Sequence, residues 1–221
     1  MRSQFYLSLY VIFLYPIVQT FAYNFPKNMY PYDPRIHNMG NIGILGKIHA
    51  ECAPFFTRGI DILAYNGENI RQSIITPFEG KSMLDICCGV GYSTSLNENS
   101  LGIDTSPEMI DRAKRLFPNK NFTIDNAETF SVPDNFDITT CFFGFHEMPI
   151  YAWRKIIKNI EKITNEKIII VDISPKYTPS AVMLYGEPYL TDYIAHINSK
   201  LSDFTEYIIK ENHVHMWIKD L

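Results

Sequence analysis

Apolar residues follow two spacings along this chain, and the alternation between them outlines the fold. From 42 to 63, Ile44, Leu45, Ile48, Phe55, Phe56, Ile60 and Leu63 recur at helical intervals. Pro54 is expected to kink or split that helix, and Tyr65-Asn66-Gly67 to end it. A short helix over 68–75 and a turn at 77–80 precede a compact apolar run at 83–88, the pattern of a strand buried on both faces. Further strand-like runs lie at 101–103, 122–124, 136–143 and 167–173. Helices are predicted between them. Ser106 is the N-cap of one, with Pro107 in its first turn and Met109, Ile110, Ala113, Leu116 and Phe117 on one face; another over 149–163 turns Trp153, Ile156, Ile157 and Ile160 inward. Strand followed by helix, repeated, predicts a doubly wound parallel sheet. The last two runs, 204–210 and 214–218, are separated only by Glu211-Asn212-His213, a loop that joins antiparallel neighbours. The expected fold is therefore α/β: a doubly wound, mostly parallel seven-strand sheet closed by a C-terminal antiparallel hairpin.

The N-terminus has a different pattern. After Arg2 an apolar run over 5–18 is shorter than a bilayer span and ends near Thr20-Phe21-Ala22, with small residues where a signal peptidase reads them. Residues 1–22 are expected to be a signal peptide that sends the chain into the secretory pathway. The final compartment stays open between the lumen of the endoplasmic reticulum, secretion and an organelle on that route. No stable membrane span is expected after signal removal; an uncleaved anchor or a buried helix is the alternative. Residues 23–40 carry Lys27 and Arg35 against Asp33 and read as a linker or transit-like segment, and 41–221 as one domain.

Composition narrows the class. An apolar fraction of 46% with 20% charged residues argues against disorder, and a formal net charge of −4 supplies no field toward a phosphate backbone, so nucleic acid is not an expected partner. Cys52, Cys87, Cys88 and Cys141 lack zinc-ligand spacing and read as small core residues.

Candidate chemistry follows the first strand. In Asp85-Ile-Cys-Cys-Gly89-Val-Gly91 two glycines stand where a strand turns into a helix, so an extended ligand can approach the backbone. Asp104 ends the second strand, where a carboxylate suits the two hydroxyls of a ribose. The full dinucleotide fingerprint is missing, since Gly91 is followed by Thr94, and no phosphate-cradling lysine follows. An adenosine without phosphates fits better than NAD or ATP.

These residues resemble the class I, seven-strand S-adenosylmethionine-dependent methyltransferases over nearly all of 41–221. Met83-Leu-Asp-Ile-Cys-Cys-Gly-Val-Gly91 is similar to the family's first motif, with Cys87 where glycine is usual, a Cys-Cys version familiar from the quinone-biosynthesis branch. Gly102-Ile-Asp104 resembles the ribose segment. Asp125-Asn-Ala-Glu128 resembles the adenine-reading turn, with Asn126 where aspartate is more common. Phe142-Phe-Gly-Phe-His-Glu-Met-Pro149 is like the segment that receives the methionine end and faces the acceptor. The resemblance implies S-adenosyl-L-methionine as methyl donor, no metal, a small organic acceptor, and donor contacts from Asp85, Cys87, Gly89, Gly91, Asp104, Asn126, Ala127 and Phe143.

His146, beside Glu147 at the carboxyl end of the sheet, is the candidate base or acceptor-positioning group; Asp172 also stands there. An unperturbed imidazole would titrate around pH 6 to 7. The segment 174–193, with Tyr177, Met183, Tyr185, Glu187, Tyr189, Asp192 and Tyr193, reads either as an acceptor lid or as core. His213 and His215 are expected on one face of the last strand without a third metal ligand, and Arg154, Lys155, Lys158 and Lys162 on a solvated helix face. A donor-binding relic without catalysis, or a protein methyltransferase, are the competing readings.

Overall fold

The computed structural model describes residues 40–221 of the 221-residue chain. The expected signal peptide, and the segment after it up to residue 39, lie outside the described residues. Seven strands form one sheet: β1 (Met83–Ile86), β2 (Leu101–Asp104), β3 (Phe122–Ile124), β4 (Phe136–Phe142), β5 (Thr164–Ile173), β6 (Thr205–Lys210) and β7 (Val214–Asp220). Their order is β3-β2-β1-β4-β5-β7-β6. Neighbours are parallel from β3 through β5, and β7 runs antiparallel to both β5 and β6. This is the sheet that the apolar pattern predicts.

Helices α1 (Gly43–Ala64), α2 (Ile70–Ile75), α3 (Pro107–Leu116), α4 (Ile150–Ile160), α5 (Ala181–Gly186) and α6 (Leu190–Lys200) surround it. On one face Leu84, Ile86, Ile103, Ile168 and Ile170 pack against Trp153, Ile156 and Ile160 of α4 and Tyr193 and Ile197 of α6. On the other, Met83, Ile138, Ile169 and Val171 pack against Tyr65 and the α2 residues Ile70 and Ile75. Covering both faces is why β1 is buried at all four positions and reads as a continuous apolar run. Ser106 caps α3 by accepting the Met109 N–H at 3.1 Å, and Pro107 occupies the first turn, as expected.

Three local expectations change. Pro54 lies inside an unbroken α1, so the helix absorbs the one backbone bond that proline cannot donate. β5 starts at Thr164, three residues early, and α4 stops at Ile160. Thr164 is the reason: its hydroxyl donates to the Ile160 carbonyl at 2.6 Å and meets the Thr139 hydroxyl on β4, closing the helix while entering the sheet.

β1 lies between β2 and β4, so the chain winds to one side of it through β2 and β3 and then crosses to the other side at β4. The crevice at such a reversal, outside the carboxyl ends of the strands, is where open α/β sheets place ligands.

Candidate functional site

The loop after β1 is built on left-handed backbone: φ is +54° at Cys87, +52° at Gly89 and +87° at Gly91. Asp85 lies beneath it, 1% exposed, accepting hydrogen bonds from the hydroxyls of Ser93 (2.8 Å), Thr94 (2.6 Å) and Thr140 (3.1 Å). Burial raises its pKa, opposed by those three hydroxyls. Asp85 therefore acts through the loop's shape. The two glycines differ in what they allow. A Cβ on Gly91 would stand 2.5 Å from the Phe122 ring, whereas a Cβ on Gly89 would meet nothing within 4 Å. Gly91 packs the loop onto the sheet and Gly89 faces open space, with Lys120 donating to the Gly91 carbonyl at 3.1 Å.

Asp104 closes the other side of that space. One carboxylate oxygen accepts the Gly89 N–H at 2.9 Å and the other the Ser106 N–H at 2.9 Å, joining the β1 loop to the end of β2. Burial raises its pKa to about 6 against the pull of those two N–H groups, and the Glu147 and Asp85 charges add to the rise. Asn126 follows β3 and spends one amide-oxygen lone pair on the Glu128 N–H at 2.9 Å. Ala127 is buried, its carbonyl held at 3.0 Å by Asn159 of α4.

At the end of β4, Phe143 has φ +58° and its N–H donates to the Val171 carbonyl at 2.7 Å. Beyond it one carboxylate organises the turn. One Asp172 oxygen accepts the N–H groups of Phe145 (2.8 Å) and His146 (3.2 Å), and the other lies 2.6 Å from His146 Nδ1. Burial alone would push the imidazole toward neutrality, but Asp172, with Glu147 and Glu187, overrides it and lifts the pKa to about 9. His146 is thus an imidazolium at neutral pH, and the titration expected around pH 6 to 7 for an unperturbed ring moves to about 9. Its ring also meets Tyr193 edge-on at 6.0 Å.

Sequence reasoning missed Arg71 on α2. Its guanidinium sits 4.7 Å above the Phe143 ring and 3.9 Å from Asp61, too far for a hydrogen bond, with 18% of its side chain exposed. Among the described residues no hydrogen-bond acceptor meets its five N–H donors, and Asp61 Oδ1 is buried without a hydrogen-bond partner. A nearly buried guanidinium with open donors, beside the glycine loop and the end of β4, is suited to a carboxylate. The one available signal was a single cation among the apolar positions of 59–80.

The segment 174–193 divides between the two readings it allowed. Met183 and Tyr193 are core; the Tyr193 hydroxyl donates to the Ile173 carbonyl at 2.6 Å. Tyr185 is exposed, and Tyr177 stands edge-on to His213 at 5.3 Å. His213 is not on the last strand: it lies in the turn before β7, also against Tyr65 at 6.3 Å. His215 is buried, with Ser174 Oγ at 3.0 Å from Nε2 and Glu206 at 2.6 Å from Nδ1. This is the order of a nucleophile triad, but Ser174 is wholly buried and its hydroxyl takes the Lys176 N–H at 3.1 Å. The chain braces the turn after β5. Arg154, Lys155 and Lys158 are exposed on α4 as expected, whereas Lys162 is exposed in the turn after it. Among the described residues, no group of three or more His, Cys, Asp or Glu side chains is arranged to hold a metal ion, and no helix is long and apolar enough to cross a membrane.

The sheet order, the left-handed glycine loop and the acid ending β2 define the Rossmann-like methyltransferase fold. Comparison with known proteins agrees. Residues 83–167 match the methyltransferase domain family. An uncharacterised methyltransferase of Synechocystis sp. is 29% identical over 89 residues, a stretch covering 38% of this chain and only 42% of that relative. The fold is shared with a TehB-like SAM-dependent methyltransferase from Corynebacterium glutamicum, at a TM-score of 0.53 and 15% identity over 79% of this chain and 99% of that one. It is also shared with an S-adenosylmethionine-dependent methyltransferase from Clostridium acetobutylicum, at 0.51 and 14% over 77% and 99%. The solved structures share the fold, and the family match falls on β1 through the start of β5, the part of the sheet that carries the glycine loop and Asp104.

Proposed function

We infer that the chain transfers a methyl group from S-adenosyl-L-methionine to a small organic acceptor. The observation that carries this reading is the bond between the Gly89 N–H and Asp104 at the edge of the open space in front of the loop. Asp104 would accept the ribose hydroxyls, Asn126 and Ala127 would face the adenine, and Arg71 would take the methionine carboxylate. The donor set fits that molecule, since open guanidinium donors and a ribose-accepting carboxylate flank one cradle.

When bound, the donor supplies an electrophilic methyl group on a sulfonium. The protein's share of the rate is then alignment of the attacking atom with the methyl–sulfur bond and exclusion of water. Phe143, with Arg71 stacked on it, forms one wall. Asp172 fixes the 143–147 turn, and His146, charged at neutral pH, stands there as a positioning residue rather than a ready base. Small acceptors, with a quinone-like ring favoured by the Cys87-Cys88 motif, fit this reading better than a protein side chain because the 174–193 segment folds back onto the site's own core. Entry into the secretory pathway through residues 1–22 belongs to the same proposal.

Calorimetry with S-adenosylmethionine and S-adenosylhomocysteine tests the reading. Both should bind wild type competitively at one site, and labelled donor should pass its methyl group to a component of a small-metabolite extract. No binding would overturn it. Binding without transfer to any small metabolite or protein fraction would leave the nucleoside-binding relic instead.

A further inference from the structure

Two sulfur atoms meet under the donor loop. Cys141 on β4 is the register partner of Ile86, the last residue of β1, and Cys87 is the first residue of the loop that follows it. Both side chains pack into the same apolar cluster. Cys88 belongs to the cluster on the other side, with Ile110 and Phe122. A residue continuing a strand would be free to extend, but Cys87 holds φ at +54°, a region costly for a residue with a Cβ. Gly144, in the turn after β4, completes the arrangement. A Cβ there would stand 2.9 Å from Cys87 Cβ, 3.0 Å from Cys141 Sγ and 3.3 Å from Cys87 Sγ. The donor loop, β4 and the turn carrying His146 thus converge on one pair of free thiols.

We propose that Cys87 and Cys141 form a reversible disulfide that governs donor binding. Cys87 is half-buried and within reach of a small-molecule disulfide, while Cys141, 1% exposed, is the resolving thiol. In the first step the Cys87 thiolate attacks a sulfur of an oxidant such as glutathione disulfide; one S–S bond breaks, a mixed disulfide forms and one glutathione thiolate leaves. In the second Cys141, whose thiol is held protonated by Cys87 and by burial, gives up its proton as it attacks the Cys87 sulfur and releases the second thiolate. Two cysteine thiols are oxidised, one glutathione disulfide is reduced to two thiols, and the two protons go to the departing thiolates. Closing the bond draws Cys87 toward β4, and through Cys88 it displaces Gly89 from Asp104, so the oxidised chain should bind donor weakly.

This rests on the donor-binding reading, and its test has two independent readouts. Purified protein is equilibrated with glutathione disulfide, digested without reduction and mapped by mass spectrometry. A peptide linking Cys87 to Cys141 is expected, whether or not the chain binds the donor. S-adenosylhomocysteine affinity, measured on the same samples, should fall at least tenfold on oxidation and return with dithiothreitol. Cys141→Ser and Cys141→Ala should give no linked peptide under the same treatment and stop at the Cys87 mixed disulfide, and either one suffices if the other fails to fold. Absence of the linked peptide, or a linked protein that binds S-adenosylhomocysteine as the reduced one does, would overturn the switch. A linked peptide in a chain whose reduced form binds no S-adenosylhomocysteine would instead overturn the donor reading and, with it, the proposed control of binding.

Discussion

His146 Nδ1 lies 2.6 Å from one oxygen of Asp172 while the other oxygen of the same carboxylate receives the backbone N–H groups of Phe145 and His146. One side chain from β5 therefore sets both the charge of the imidazole and the path of the turn that holds it. The pairing turns a candidate base into a cation at neutral pH.

Stability should report that charge. The folded-state pKa of about 9 lies above the ordinary value of 6.5, so the pair's contribution is fully present below about pH 6.5 and is lost as pH rises through 9. The urea midpoint of the wild type should fall across that interval, and His146→Asn should not show the fall. Turnover of the asparagine variant should stay near wild type at pH 7, because the ring it replaces carries no free lone pair for proton removal there. A large loss of kcat with unchanged donor affinity would return His146 to the chemistry.

Donor affinity should depend on Asp104 in the opposite pH direction. The hydroxyls of a ribose need an ionised acceptor, and the raised pKa of about 6 means that acid protonates it early. S-adenosylhomocysteine binding should weaken as pH falls below 6, with proton release measurable by calorimetry in buffers of different ionisation enthalpy. Asp104→Ala should bind at least tenfold more weakly at pH 7.5, in line with hydrogen bonds to charged groups of about 1.5–3 kcal/mol, and its affinity should be flat with pH.

Arg71→Ala should weaken binding about tenfold through loss of a charge-assisted bond. Arg71→Lys should recover only part, since an ammonium cannot keep both the Phe143 stack and a forked contact. Decarboxylated S-adenosylmethionine provides the check: it should bind wild type and Arg71→Ala equally if Arg71 takes the carboxylate.

Gly91→Ala should cost about 2–4 kcal/mol of stability, from a side chain at φ +87° and a Cβ driven into the Phe122 ring. Guanidinium denaturation of the two proteins measures it directly.

Expression in a eukaryotic host should yield a chain starting near Tyr23, because small residues end the apolar run. N-terminal sequencing that finds Met1 in the mature pool would contradict the signal peptide.

What the sequence disclosed divides along physical lines. Strand runs such as 168–171 are legible because a sheet covered on both faces demands unbroken apolar stretches, and Ser106-Pro107 is legible because capping is local chemistry. The places of Gly89 and Gly91 in a turn and of Asp104 at a strand end are legible for the same reason: both announce themselves within a few residues. Arg71 is not, since its meaning comes from Phe143, 72 positions away, through a stack that no local pattern encodes. Tyr193 and His215 also took their roles from distant partners, Ile173 and Ser174, after the sheet had closed.

Asp172 also imposes an order on folding. The amides of Phe145 and His146 find their acceptor 27 and 26 residues downstream, so the turn closes only once β5 is in place. β4 meets β5 with partners such as Ile138 and Lys167, but meets β1 only across the much longer segment from Met83 to Ile138, so loop closure favours β5 docking first. In pulsed hydrogen exchange during refolding, these two amides should gain protection together with the β5 core, before the β1–β4 ladder. The turn that carries His146 is then native before the glycine loop after β1 is fixed beside it.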